Sequence, residues 1–140
     1  MSESDNVSEV IASIKAMQLR MDVALGKAAE ELAQHLAGDA QRQIKGDRKN
    51  VPYPAVSGKP PMNVSGKLRE NIKGKSSRKG FGIYTAEASS YMVYARAVEF
   101  GGAPTWTKGQ NFPYMRPALE HFKRTTIIQR TIAKYLRSAQ

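Results

Sequence analysis

The chain has 140 residues, a formal net charge of +10, 41% apolar and 24% charged residues, and no cysteine. This length implies one domain with a single modest core, and no apolar run approaches the ~20 residues that a membrane-crossing helix needs. Without cysteine there is no disulfide framework, thiolate catalysis or cysteine-held metal. The acidic, polar start MSESDNVSEV has neither the basic nor the apolar part of a secretory signal, which points to retention in a cytoplasm.

The charge is unevenly spread. Residues 1–38 carry a net −3, residues 39–80 a net +8 and residues 81–140 a net +5. The middle third should therefore attract a polyanion or an acidic protein surface.

In chain order, residues 1–7 read as a disordered tip. From about Ser8 to Ile44 the pattern is helical, with Leu25, Ala28, Leu32, Leu36 and Ala40 on one face. Gly26 costs about 1 kcal/mol relative to Ala inside a helix, so a break there or near Met17 is expected, with Gly38 and Gly46 as candidate stops. Residues 46–64 hold four prolines and two glycines and read as a long, exposed, basic loop. Ser65 suits an N-cap, followed by a short helix with Leu68 and Ile72 on one face. A hairpin follows, with its turn near Arg78–Gly80 and alternation of Phe81, Ile83 and Thr85 against Gly82, Tyr84 and Ala86. Residues 91–100 are apolar and fit either a strand or a short helix, and residues 103–112 fit a loop or edge strand. Pro117 suits the first turn of a last helix that runs to about Ser138, with Phe122, Ile128, Ile132, Tyr135 and Leu136 as its apolar stripe and Thr125–Thr126 weakening its middle. The whole predicts a single α+β domain: a long N-terminal helix, a small antiparallel β-sheet with a long basic loop and short helix, and a C-terminal helix packed on the sheet.

Residues that could carry chemistry are scarce. His35 and His121 each stand alone on a helix and suit surface or packing roles. Glu87, Glu99 and Glu120 are widely spaced and form no evident acid–base pair. Ser57-Gly58-Lys59 and Ser65-Gly66-Lys67 lack the earlier glycine and following Ser or Thr of a phosphate loop. The basic stretch Arg42–Lys79 is either a solvated face or a contact for DNA phosphates or an acidic partner. Its aromatics are not spaced as a stacking platform. Arg48, Lys49, Tyr53, Lys59 and Trp106 are the candidates for assembly or DNA contact, Trp106 as a large amphipathic side chain between Pro104 and Lys108. No catalytic, metal or cofactor residue emerges, and no enzyme is expected.

Three segments carry a resemblance. Gly58-Lys59-Pro60-Pro61 is followed by Val64-Ser65-Gly66-Lys67-Leu68-Arg69-Glu70-Asn71-Ile72. Next comes Tyr94-Ala95-Arg96-Ala97-Val98-Glu99-Phe100-Gly101-Gly102, and then Phe112-Pro113-Tyr114-Met115-Arg116-Pro117-Ala118-Leu119-Glu120. In order and separation these resemble the motifs of tailed-phage tail-completion (head–tail joining) proteins across roughly residues 20–138. Gly102 stands where that family usually has Thr, Asn71 where it has Ser, and Tyr114 takes the aromatic place of its Pro-Phe.

The resemblance implies a virion protein made in the host bacterial cytoplasm. It would form a homo-oligomeric ring, a hexamer most often, that joins the head connector or stopper to the tail terminator or tail tube. DNA would pass through the centre, with non-specific contact to the packaged double strand as a further expectation. It implies no catalysis, no cofactor and no membrane. A tail-terminator ring and a non-specific basic DNA-binding protein are the rival readings. The motif residues are Ser65, Gly66, Leu68, Arg69, Ile72, Tyr94, Glu99, Phe100, Gly101, Tyr114, Arg116 and Pro117. Glu99 is read either as a charge-assisted link to Arg69 or Arg116 or as a solvent-facing glutamate.

Overall fold

The computed structural model describes residues 3–44, 67–92, 95–101 and 113–139. Helix α1 (Glu3–Gln43) is a 41-residue rod, about 60 Å long. It starts inside the segment expected to be disordered, where Glu3 and Asp5 sit in the first turn and favour the positive end of the helix. It also runs unbroken through Gly26 and Gly38, both of which the sequence marks as weak points. Gly26 has a packing reason: a Cβ there would meet the Tyr84 ring at 3.1 Å. Burial begins at Ala24 and continues through Ala28, Ala29, Leu32, Ala33, Leu36, Ala37 and Ala40. Most of these are alanines, which let another backbone approach closely.

Helix α2 (Lys67–Glu70) is a single turn, closed by the Asn71 amide donating to the Lys67 carbonyl at 3.0 Å. Ile72 does not extend it. This β-branched residue is buried among Ala37, Ala40, Ile44, Tyr114 and Ala118 and opens strand β1 (Ile72–Gly80). Strand β1 pairs antiparallel with β2 (Ile83–Ser90), from Ile72 opposite Ser90 to Arg78 opposite Tyr84, with an irregularity between Arg78 and Gly80. The turn falls at Phe81–Gly82, later than expected, because Gly82 has a φ of 70° and its amide is held by Asp22. Phe81 is therefore a turn residue, and Tyr84, Ala86 and Ala88 form the half-buried inward row of β2.

Residues Ala95–Phe100 form helix α3, which decides between the two readings of that apolar run. The expected single C-terminal helix is two, α4 (Met115–Arg124) and α5 (Ile127–Ser138). Thr125 leaves helical geometry at ψ 163°, and its hydroxyl donates to the Phe122 carbonyl at 2.9 Å, so the side chain competes with the backbone ladder.

Two clusters form the core. One joins Ala37, Ala40, Ile44, Ile72, Tyr114 and Ala118, and the other joins Leu32, Leu36 and Phe122 with Ala86, Ala88, Ile127, Ile128 and Ile132. The C-terminal helices thus pack on α1 and on the inner face of the hairpin, in an α+β arrangement.

The closest approach is at Gly74, where a Cβ would lie 2.4 Å from the Ala33 carbonyl oxygen of α1. Backbone cannot yield as a side-chain tip can. Gly74→Ala should therefore lower the unfolding free energy by about 1–3 kcal/mol, the range for forced overpacking. Urea denaturation followed by circular dichroism checks this, and an unchanged midpoint would contradict the contact.

Candidate functional site

Helix α3 is too short to stand alone, yet it carries the feature that organises the C-terminal third. Glu99 is only 7% exposed. Its Oε2 accepts hydrogen bonds from the backbone amides of Tyr114 at 2.7 Å and Met115 at 2.9 Å, and its Oε1 accepts from the Arg116 amide at 2.9 Å. These are the unpaired donors that begin α4. The next residue is Pro117, which has no amide hydrogen. One carboxylate therefore satisfies every donor of the first turn, and its charge lies at the positive end of the helix. Tyr114, at the N-cap position, makes no side-chain cap of its own. Just after α3, Gly101 adopts a φ of 78°, a left-handed turn that glycine takes without strain.

The expected charge-assisted link from Glu99 to a guanidinium is not formed; the carboxylate binds backbone amides at the start of α4 instead. Neither the Arg69 nor the Arg116 guanidinium lies within ion-pair distance of Glu99, and Arg116 contributes its backbone amide. Tyr114 is 1% exposed, and Leu68 and Met115 pack against its cluster. Arg69 and Pro117 are half-buried, Arg116 is exposed, and Phe100 is 69% exposed. Ser65, Gly66, Tyr94, Arg48, Lys49, Tyr53, Lys59 and Trp106 lie outside the described residues.

Beside the cap runs an open cleft of about 620 Å³. Phe100, Met115 and Leu119 supply its apolar wall, and Arg96, Arg116 and Lys123 with the exposed acid Glu120 make a rim that is basic on balance. Nothing in this arrangement resembles an acid–base pair, since the Glu99 carboxylate is committed to three amides. Among the described residues no group of His, Asp or Glu could hold a metal ion, and no helix is long and apolar enough to cross a membrane.

The sequence reading missed three sets of polar contacts that fix the hairpin. Asp22 on α1 accepts from the Gly82 amide at 2.7 Å, the Tyr84 hydroxyl at 3.1 Å and Arg78 Nε at 3.2 Å. Gln34 and Gln41, seven residues apart on α1, donate to the carbonyls of Gly74 and Ile72. Asn71 Oδ1 accepts from the Ser90 hydroxyl and the Tyr91 amide, closing the open end of the hairpin. No short-range pattern announces such contacts.

Residues 8–101 match the family described as "Bacteriophage HK97-gp10, putative tail-component". The chain belongs to this family of phage tail components. The matched stretch holds α1 from Ser8 onward, the hairpin and α3 with Glu99, and stops before the helix that Glu99 caps. No curated protein and no solved structure is detectably similar to the chain.

Two outcomes follow for this tail component. Glu99→Ala strands buried donors and should lower stability by about 2–3 kcal/mol, whereas Glu99→Gln keeps an acceptor and should cost about half of that. Chemical denaturation checks the order, and equal losses would contradict the cap. The Gly82 amide, with Tyr84 and Arg78, holds the Asp22 carboxyl below its ordinary value of 3.8. A carboxyl whose folded pKa is depressed contributes stability above its unfolded pKa and loses it as pH falls through the folded value. Wild type should therefore exceed Asp22→Asn most at neutral pH, and the difference should shrink steadily below about pH 4. Denaturation curves from pH 7 to pH 2.5 read this directly.

Proposed function

We propose that this tail component is a structural subunit of the virion neck, in which copies form a ring between the head connector or stopper and the tail tube. The supporting observation is the Phe100–Leu119 cleft. Large apolar side chains left open beside a basic rim are the composition of a surface meant for another protein. Phe100 and Leu119 are not needed to close the core, which leaves them free for a neighbouring subunit or ring. Glu99 sets α3 and α4 rigidly against each other, so the two walls of the cleft are presented at a fixed spacing.

A second feature concerns the DNA that would pass through such a ring. Lys73, Lys75 and Lys79 are exposed along β1, and of the facing positions on β2 only Glu87 carries a negative charge. This basic outer face suits a solvated, salt-dependent contact with phosphates, and it offers no group for reading bases.

The test is complementation of a phage that lacks this protein. Leu119→Asp combined with Phe100→Asp should fold with a normal melting profile and yet leave filled heads beside separate tails in negative-stain images. Complete, infectious particles from that variant would remove the cleft from the contact surface. Complete particles in the absence of the protein would end the neck reading.

A further inference from the structure

Every residue from Glu3 to Met21 is exposed, a stretch of about 28 Å of α1 that borders the body only at its base, where Leu19 and Arg20 line a cleft with Tyr135, Ser138 and Ala139 at the end of α5. This free segment is not a polar helix. Val7, Val10, Ile14, Met17 and Met21 recur at alternating three- and four-residue spacing, the a and d positions of a heptad. Ile11 widens the stripe on one side. Exposure along it runs from 42% at Met21 to 58% at Val10. Such a seam is the pattern of one helix awaiting another.

We propose that the free segment pairs antiparallel with the same segment of a second copy of this chain. Three features choose that occupant and that direction. First, antiparallel helices pair a positions with d positions, and one register satisfies every layer: Val7 opposes Met17, Val10 opposes Ile14, and Glu3 opposes Met21. Second, this register uses the free length fully. The tip of each helix reaches Met21 of the other and stops short of Asp22 and the docked hairpin turn, level with the point where Leu19 and Arg20 border the end of α5. Third, charge favours it. The acids of the segment (Glu3, Asp5 and Glu9) lie toward its tip and the bases Lys15 and Arg20 toward the body. Antiparallel pairing sets each acidic tip beside the basic half of its partner, with Glu3 next to Arg20. Parallel pairing would set Glu3, at a d position, against itself and gather all three acids at one end of the pair. The flanking e and g positions are Ser4, Asn6, Ile11, Ser13, Gln18 and Arg20, and Arg20 pairs with Asn6 of the partner, so no like charges meet across the seam. At the twofold axis Ile11 meets its own counterpart, as does Ser13.

This pairing is isologous and closes on itself, whereas a one-way ring needs head-to-tail contacts. It is therefore a state of the free protein, separate from the neck contact, that covers the stripe until assembly. Its fate does not depend on the neck reading.

The lack of cysteine makes the experiment clean. The full chain should sediment as a dimer at micromolar concentration. Ile14→Lys, placed mid-seam, should raise the dimer dissociation constant well over about tenfold, since both copies lose a buried β-branched side chain and one such loss already gives about tenfold. The melting profile of the body should stay unchanged. Under mild oxidation Val7→Cys mixed with Met17→Cys should give a mixed disulfide dimer, and Val7→Cys alone should not. A wild type that is monomeric throughout, a dimer that survives Ile14→Lys, or ready self-linking of Val7→Cys would each overturn the proposal, the last in favour of a parallel bundle.

Discussion

The C-terminal third of the molecule depends on one carboxylate. Helix α3 has six residues and α4 begins without a side-chain cap of its own. Neither would hold its place by helical propensity. By accepting three successive amides, Glu99 fixes the residue at which α4 starts and the direction in which it leaves. Once that start is set, helical spacing puts Tyr114 and Ala118 into the first core cluster and Phe122 into the second. Helix α5, joined through Thr125 and Thr126, then brings Ile128 and Ile132 to the same cluster. The cap matters less for its own energy than for the apolar burial it aligns. A start displaced by one residue would rotate Phe122 away from Leu32 and Leu36 by about 100°.

The other half rests on close approach. Alanines along α1 and Gly74 on β1 bring helix and strand together until the Ala33 carbonyl sits where a Cβ would be. Dispersion at such a contact is strong but has little direction, so polar groups set the register. Asp22 holds the turn, Gln34 and Gln41 hold carbonyls of β1, and Asn71 ties the open end. A two-stranded hairpin is marginal alone. Here the rod acts as its third strand, supplying both packing and hydrogen bonds.

How much of this was legible in the sequence follows from the range of each interaction. The apolar face from Leu25 to Ala40, the hairpin and the C-terminal stripe are local patterns and could be read. Gly26 reads as a break because its helical cost is local, while its reason, the Tyr84 ring, lies far along the chain. Ile72 was placed on a helix because its spacing from Leu68 fits one, although a single turn had no face to extend. The turn was set too early because Gly80 and Gly82 are equivalent by composition, and only the Asp22 carboxylate separates them. The threonine pair was recognised as weak, but its hydroxyl contact decided that the helix breaks. For Glu99, charge counting looked for a guanidinium. Backbone amides carry no mark in a sequence, apart from the hint that Pro117 removes the fourth donor. The Val7–Met21 stripe has the same helical period as the core face, so periodicity alone does not show that it is left open.

Most of the placed motif residues are closed to a partner for a physical reason, with Phe100 and Arg116, which line the open cleft, as the exposed exceptions. Glu99, Gly101, Tyr114 and Pro117 are used up inside the fold: their polar groups are paired, their side chains buried or their backbone committed to a turn. A group already satisfied has nothing left to offer a partner. What remains open is the seam on the first half of α1 and the cleft with Phe100 and Leu119, which flanks the cluster that holds Ala37, Ala40 and Ile44 near the other end of the rod. A continuous helix links the two, so neither surface can drift relative to the other, and the distance between them keeps a partner on one from blocking the other. A subunit built this way can have its seam covered while its cleft stays accessible.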